Sequence, residues 1–176
     1  MSGPIQLVNL VLSLAAFTMI ARWYVMPRLE GVPRERALQP FLLLHSFRHI
    51  GLMFLAPGAL KADLAPAFAQ PAAYGDLAAS LLAFLSLVAL RLRWRPAIAL
   101  VWVFSVEGVI DLLTAVSLGV ANGAADGMGA TFWIPSVIVP ALLVTHAIII
   151  VLLVRKPGGA GGGGPEPGAS GGRDGR

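Results

Sequence analysis

The 176 residues are 57% hydrophobic and only 12% charged, with 13 basic and 9 acidic side chains and a net charge of +4. An ordinary globular chain carries ~25% charged residues. With a mean hydropathy of +0.79, too little charge is left to coat a soluble fold, so the chain reads as an all-α integral membrane protein. The absence of cysteine excludes disulfides, iron–sulfur clusters, thiolate zinc sites, C-x-x-C redox chemistry and c-type haem attachment. The cations fall in short clusters between apolar spans, which is a membrane pattern; the bilayer is the expected partner and nucleic acid is not. Eleven arginines against two lysines, with abundant Ala, Gly and Pro, point to a GC-rich bacterial source.

Five transmembrane helices are predicted, over residues 5–26, 38–60, 72–90, 96–121 and 130–154. About 20 helical residues cross a ~30 Å hydrocarbon core. The first span has no charge before Arg22. It lacks a basic n-region and a small-residue cleavage site, so it reads as a retained anchor and not as a signal peptide. The second span holds one full charge, Arg48. The third carries Asp76 near its start, and its strictly apolar part, Leu77 to Leu90, is short. The fourth holds Glu107 and Asp111, and His146 is the only ionisable group of the fifth. Runs such as Leu81 to Leu90 and Ile148 to Val154 do not alternate, which excludes barrel strands; helices satisfy their own backbone in lipid. The loops Pro57 to Gly75 and Gly119 to Gly129 are predicted to be external, the first apolar enough to lie on the membrane surface. Pro157 to Arg176 holds ten of the twenty glycines and three prolines. Too apolar-poor to offset chain entropy, this segment is predicted to be a disordered cytoplasmic tail beyond a five-helix domain spanning residues 1–156.

The arginines set the expected orientation. Arg22, Arg28, Arg34 and Arg36 flank the first loop, Arg91, Arg93 and Arg95 the third, and Arg155 and Lys156 follow the fifth span; Lys61 is the sole cation at the opposite ends. The positive-inside rule then places the N-terminus outside and the C-terminus in the cytoplasm of a bacterial inner membrane. Trp23, Tyr24 and Trp94 mark the inner border, Tyr74 and Trp133 the outer.

Several motifs carry no chemistry. Gly168-Ala169-Ser170-Gly171-Gly172 matches G-x-S-x-G, but it lies in the glycine-rich tail without the strand–turn–helix context a nucleophile elbow needs. Neither a phosphate-binding loop nor H-E-x-x-H is present. Gly119 and Gly123 are spaced for a close helix contact, or simply for a loop entrance. Pro57, Pro135 and Pro140 are expected to bend helices for packing, and Gly51 and Gly108 lie beside polar faces where a neighbouring helix can approach.

One constellation stands out. Asp, Lys and Arg at a helix centre cost about 2.5–3.5 kcal/mol each on insertion scales, so Arg48, Glu107 and Asp111 would together cost roughly 8–10 kcal/mol if central and facing lipid. Facing inward and pairing removes most of that cost. In α-helical register His45, Arg48 and His49 share one face, as do Glu107, Asp111 and Thr114. Counting ~1.5 Å per residue from the arginine-rich ends puts Arg48 and Glu107 about 18 Å deep, His49 about 20 Å, and His45 and His146 about 14 Å. The first reading is a structural polar core that fixes helix order. Three alternatives compete with it. The first is a proton relay or small-ligand site in a transporter-like protein. The second is a b-type haem or a metal ion held by His146 with His45 or His49. The third is an intramembrane enzyme using Glu107 or Asp111 as acid or base. Enzymatic activity is not the favoured reading, and a homo-oligomer or a membrane-complex subunit is compatible with every one of them. The stretch His45 to Lys61, a helix followed by a Pro-Gly turn and a lysine before another apolar helix, resembles small four-helix DoxX-like bacterial membrane proteins. The likeness covers about a quarter of the chain and leaves out the fifth helix; no function is carried across from it.

Overall fold

A computed structural model describes residues 2–61 and 64–155 as five helices, with no strand among the described residues. Helix α1 runs over Ser2–Ile20 and continues through a π-helical turn, Ala21–Val25, into Met26–Arg28. Helix α2 is α-helical over Arg34–His45 and then 3₁₀ over Ser46–Leu55. Helices α3 and α4 are Pro66–Arg91 and Ala97–Ala121. Two short 3₁₀ turns, Ala124–Asp126 and Gly129–Phe132, and a π turn, Ile134–Ile138, lead into α5, Val139–Val154.

Gly3–Arg28, Pro66–Arg91, Ala97–Ala121 and Gly129–Val154 are each 25 or 26 residues long and apolar enough to cross a membrane. These are the helices of a multi-pass membrane protein. The second predicted span is different in kind. Its α-helical part begins earlier, carries Arg34, Glu35 and Arg36, and is only 12 residues long before the winding tightens at Ser46. The predicted loop Pro57 to Gly75 is also shorter than expected. Pro66 takes the first helical position after an extended Ala65 (ψ 128°), where its missing N–H is no loss. Residues 66–75 therefore belong to α3, and Asp76 sits well inside the helix.

Both π turns precede a proline. A proline ring clashes with the carbonyl four residues back, and for Pro27 and Pro140 that carbonyl belongs to Trp23 and Ser136, inside the two widened turns. Met26 N–H bonds Ala21 O and Val139 N–H bonds Ile134 O, each five residues back. At the C-terminal end of α4, Gly119 packs against the Phe68 ring, and Gly123 (φ +59°) follows the C-cap Asn122. That is the left-handed position that ends many helices, so the two glycines have separate tasks.

Helix α3 is the centre of the bundle, between the 3₁₀ segment of α2 and α4. Its buried face is built of small residues, including Ala72, Ala73, Ala79, Ala83 and Ala89. Small side chains let helix backbones approach closely, the packing that works in lipid where apolar burial alone gives no drive. One apolar cluster (Leu38, Leu42, Val101, Phe104, Ile149, Leu152) occupies the arginine-rich end. A second (Phe54, Phe68, Met128, Ile134) fills the other. The polar residues lie between them. Helix α1 sits at the edge against α5 and its π turn, with Ile5, Leu12 and most of its other large apolar side chains facing outward. The predicted tail from Pro157, including the G-x-S-x-G match, lies outside the described residues.

Candidate functional site: a buried arginine between two carboxylates

The winding of α2 decides which side chains reach the centre. In a 3₁₀ helix every third residue eclipses the first, and His45, Arg48, Gly51 and Phe54 are all buried on one face. His49, placed with them by α-helical spacing, is instead exposed. Four steps of about 120° leave it a third of a turn away. The Ser46 carbonyl, at the start of the tightened segment, accepts from the Ser80 hydroxyl of α3 at 2.6 Å and from His49 Nδ1 at 2.8 Å. The Ser80 bond ties α2 to α3 where the winding changes, while the His49 bond is local to α2.

Arg48 is 4% exposed. Its Nε donates to Asp76 Oδ1 of α3 at 2.8 Å, its Nη2 donates to Asp111 Oδ2 of α4, and its Nη1 reaches the Gly108 carbonyl of α4 at 3.3 Å. One guanidinium therefore joins three helices through its planar fork, the geometry for which arginine is suited. Asp76 is the carboxylate that sequence reasoning passed over. With the third span taken from Ala72 it reads as a border residue, whereas α3 begins at Pro66.

Three glycines make room for this arrangement, one on each of three helices. A Cβ on Gly51 would collide with the Asp76 carboxyl, and one on Gly75 with the Asp111 carboxyl. A Cβ on Gly108 would lie 2.5 Å from His146 Nε2 and 2.8 Å from Arg48 Nη1. Each charged or aromatic polar group is thus seated in the side-chain space that a neighbouring helix leaves empty. Gly51 and Gly108 are where the sequence placed close approaches; Gly75, adjacent to Asp76, is the third.

His45 and His146 are fully buried, with ring centroids 4.2 Å apart, and both rings lie against Phe104. His45 Nε2 is 2.9 Å from Thr145 Oγ1. That hydroxyl already points its proton at the carbonyls of Ala141 and Leu142, both at 3.0 Å, so His45 Nε2 is the donor and its Nδ1 carries a lone pair. His45 Nδ1 and His146 Nε2 have no hydrogen-bond partner, and His146 Nδ1 has only a 3.5 Å contact with Ser105 Oγ. These residues do not fit a haem held by two histidines: rings in contact leave no space for a macrocycle between them, and His49 is turned away. Nor do the described residues contain a group of three or more His, Cys, Asp or Glu placed to hold a metal ion.

Glu107, expected beside Arg48, pairs with no cation among the described residues, and its Oε2 is buried without a partner. It lines an open apolar groove of about 730 Å³ on the outer face of α4 with Trp102, Ile110, Asp111 and the exposed Thr114. Asp111 thus touches both the groove and the guanidinium, whereas Glu107 and Thr114 belong to the groove. Two smaller cavities adjoin the ion pair. One of about 30 Å³, room for roughly one water, is bordered by Asp76, Asp111 and Gln6 of α1. The other, about 110 Å³, is bordered by Arg48, Asp76, Phe47 and Trp133. Asp76 faces both.

Comparison with known families places the chain. It belongs to the family described as Domain of unknown function (DUF8737), which matches residues 5–154 and so takes in all five helices. Neither a curated protein nor a solved structure matches it.

Proposed function

We propose that the protein is a small transporter-like membrane protein in which Arg48, Asp76 and Asp111 form an exchangeable proton site. The observation that carries this reading is the charge count. One guanidinium faces two carboxylates, and a structural ion pair needs only one. In a low-dielectric centre the remaining negative charge calls for a proton or a small cation. The cavities against Asp76 supply the space for a water or an ion to approach. Ionisable residues retained inside a span commonly mark ion and proton pathways.

The expected orientation belongs to the same proposal. The arginine-rich ends of α1, α2, α3 and α5 face the cytoplasm of a bacterial inner membrane, α2 crosses as a fifth span, and the tail from Pro157 is cytoplasmic. Placed so, the site lies at mid-depth and the Gly129–Phe132 turn faces outward. Its support is the distribution of arginine.

The test is infrared difference spectroscopy of the protein in lipid across a pH titration. A protonated-carboxyl band that appears and disappears with pH, and is lost in Asp76→Asn/Asp111→Asn, is the expected result. A titration unchanged in that double variant would remove the proposal. A second reading, a polar core with no exchange, draws on Arg48 having each of its three nitrogens bonded. It predicts lost stability in the same variant and no pH-dependent band in the parent.

A further inference from the structure

The 110 Å³ cavity between the 3₁₀ segment of α2 and the π turn before α5 has walls of two kinds. Most of it is apolar, including Ile138 and Leu142. The aromatic rings of Phe47 and Trp133 border it, both exposed on the outer surface of the bundle. Its polar end is formed by Asp76 and Arg48. The guanidinium is already turned onto two carboxylates and a carbonyl, so the open acceptor capacity at that end is carboxylate. A compact cavity with a carboxylate at one end and aromatic rings near its mouth is matched to an organic cation, whose charge pairs with the carboxylate while its body lies on apolar and aromatic surface. Phe47, Trp133 and Ile138 are all exposed, so the cavity opens to the exterior of the bundle.

We propose that this cavity binds a small alkylammonium, with its ammonium on Asp76 and its apolar body along Ile138 and Leu142, in exchange for the proton of the Arg48–Asp76–Asp111 site. This rests on the proton-site reading above and supplies its substrate class. The charge count closes in both states: the trio sums to one negative charge, balanced by one proton when empty and by one monocation when filled. No covalent bond changes; one proton leaves a carboxyl for solvent as one ammonium arrives. The other titratable groups of the network are Glu107 and Asp111 on α4, which act on Asp76, and His45 and His146, which act on Arg48; none of these four borders the cavity.

The experiment is titration calorimetry of the full chain in lipid nanodiscs with isobutylammonium, isobutanol and isobutyrate, repeated in two buffers of different ionisation enthalpy to count protons. Primary ammonium groups are fully charged near neutrality. Saturable binding of isobutylammonium alone, with one proton released per cation, is expected. Asp76→Asn should weaken it by about tenfold or more, the loss of one charge-assisted contact. Ile138→Trp, which fills the mouth without touching the ion pair, should abolish binding while leaving the pH-dependent carboxyl band in place. Equal binding of isobutanol, unchanged binding in both variants, or no saturable heat with isobutylammonium would overturn the proposal. A carboxyl band that titrates in a protein that binds no amine would discard the alkylammonium and keep the proton site. Loss of the band itself would discard both.

Discussion

Arg48→Gln is the most informative single substitution. The glutamine side chain is uncharged and ends about where the guanidinium begins, so it cannot reach Asp76, Asp111 and Gly108 together. Charge-assisted hydrogen bonds contribute about 1.5–3 kcal/mol each, and removing one partner of a buried ion pair typically costs about 3–5 kcal/mol, because the stranded charge must stay uncompensated or take up a proton. The side chains of Asp76 and Asp111 are 17% and 12% exposed, against 1% for Arg48. The carboxylates thus keep some access to water, which argues for the lower end, about 3 kcal/mol, or a hundredfold or more in the unfolding equilibrium. Steric trapping in bicelles measures this directly. The triple variant Arg48→Gln/Asp76→Asn/Asp111→Asn removes all three charges together and should recover at least half of the loss, since neutral amides still bond to one another. Arg48→Gln within about 0.5 kcal/mol of the parent, or a triple variant as unstable as the sum of its parts, would refute the reasoning.

Other outcomes follow from the same geometry. Gly75→Ala should destabilise the bundle strongly, because its methyl group would occupy the place of the Asp111 carboxyl, whereas Gly3→Ala, with open space around it, should leave stability unchanged; thermal unfolding in detergent compares the two. Glu107→Gln should cost less than Asp76→Asn in the same assay, since only Asp76 bonds to Arg48; the opposite order would return Glu107 to the centre of the network. His49→Ala should be close to neutral and His45→Ala destabilising by about 1–3 kcal/mol, the cost of losing a buried hydrogen bond and leaving a void. The purified protein should show no Soret band in its absorption spectrum, because the His45 and His146 rings already touch.

Apolar length and composition placed four of the helices, since a run of about 20 residues without charge has few alternatives in a membrane protein. What they could not show was the winding of α2. The same letters around His45 read as an α-helix or as a 3₁₀ helix, and only the second puts His45, Arg48 and Gly51 on one face while turning His49 out. The hydrogen bonds of Ser46 to Ser80 and His49 are tertiary and local at once, and no periodicity announces them. Asp76 is hidden by a boundary: Pro66 is a legible first helical residue, and starting α3 there puts the aspartate nearly three turns inside. Glu107 misled for the opposite reason. Its spacing to Asp111 is right for a shared face, but a helix face spans an arc, and the guanidinium meets only the side of it that carries Asp111 and the Gly108 carbonyl.

The central claim, that a single guanidinium holds two carboxylates inside the bundle, is most directly tested by solid-state NMR distance measurement between ¹⁵N-labelled arginine side chains and ¹³Cγ-labelled aspartate in lipid bilayers. Strong dephasing of two aspartate signals, each removed by its own Asp76→Asn or Asp111→Asn substitution and both by Arg48→Gln, is the predicted result. Dephasing of neither signal, or of signals that survive Arg48→Gln, would contradict it.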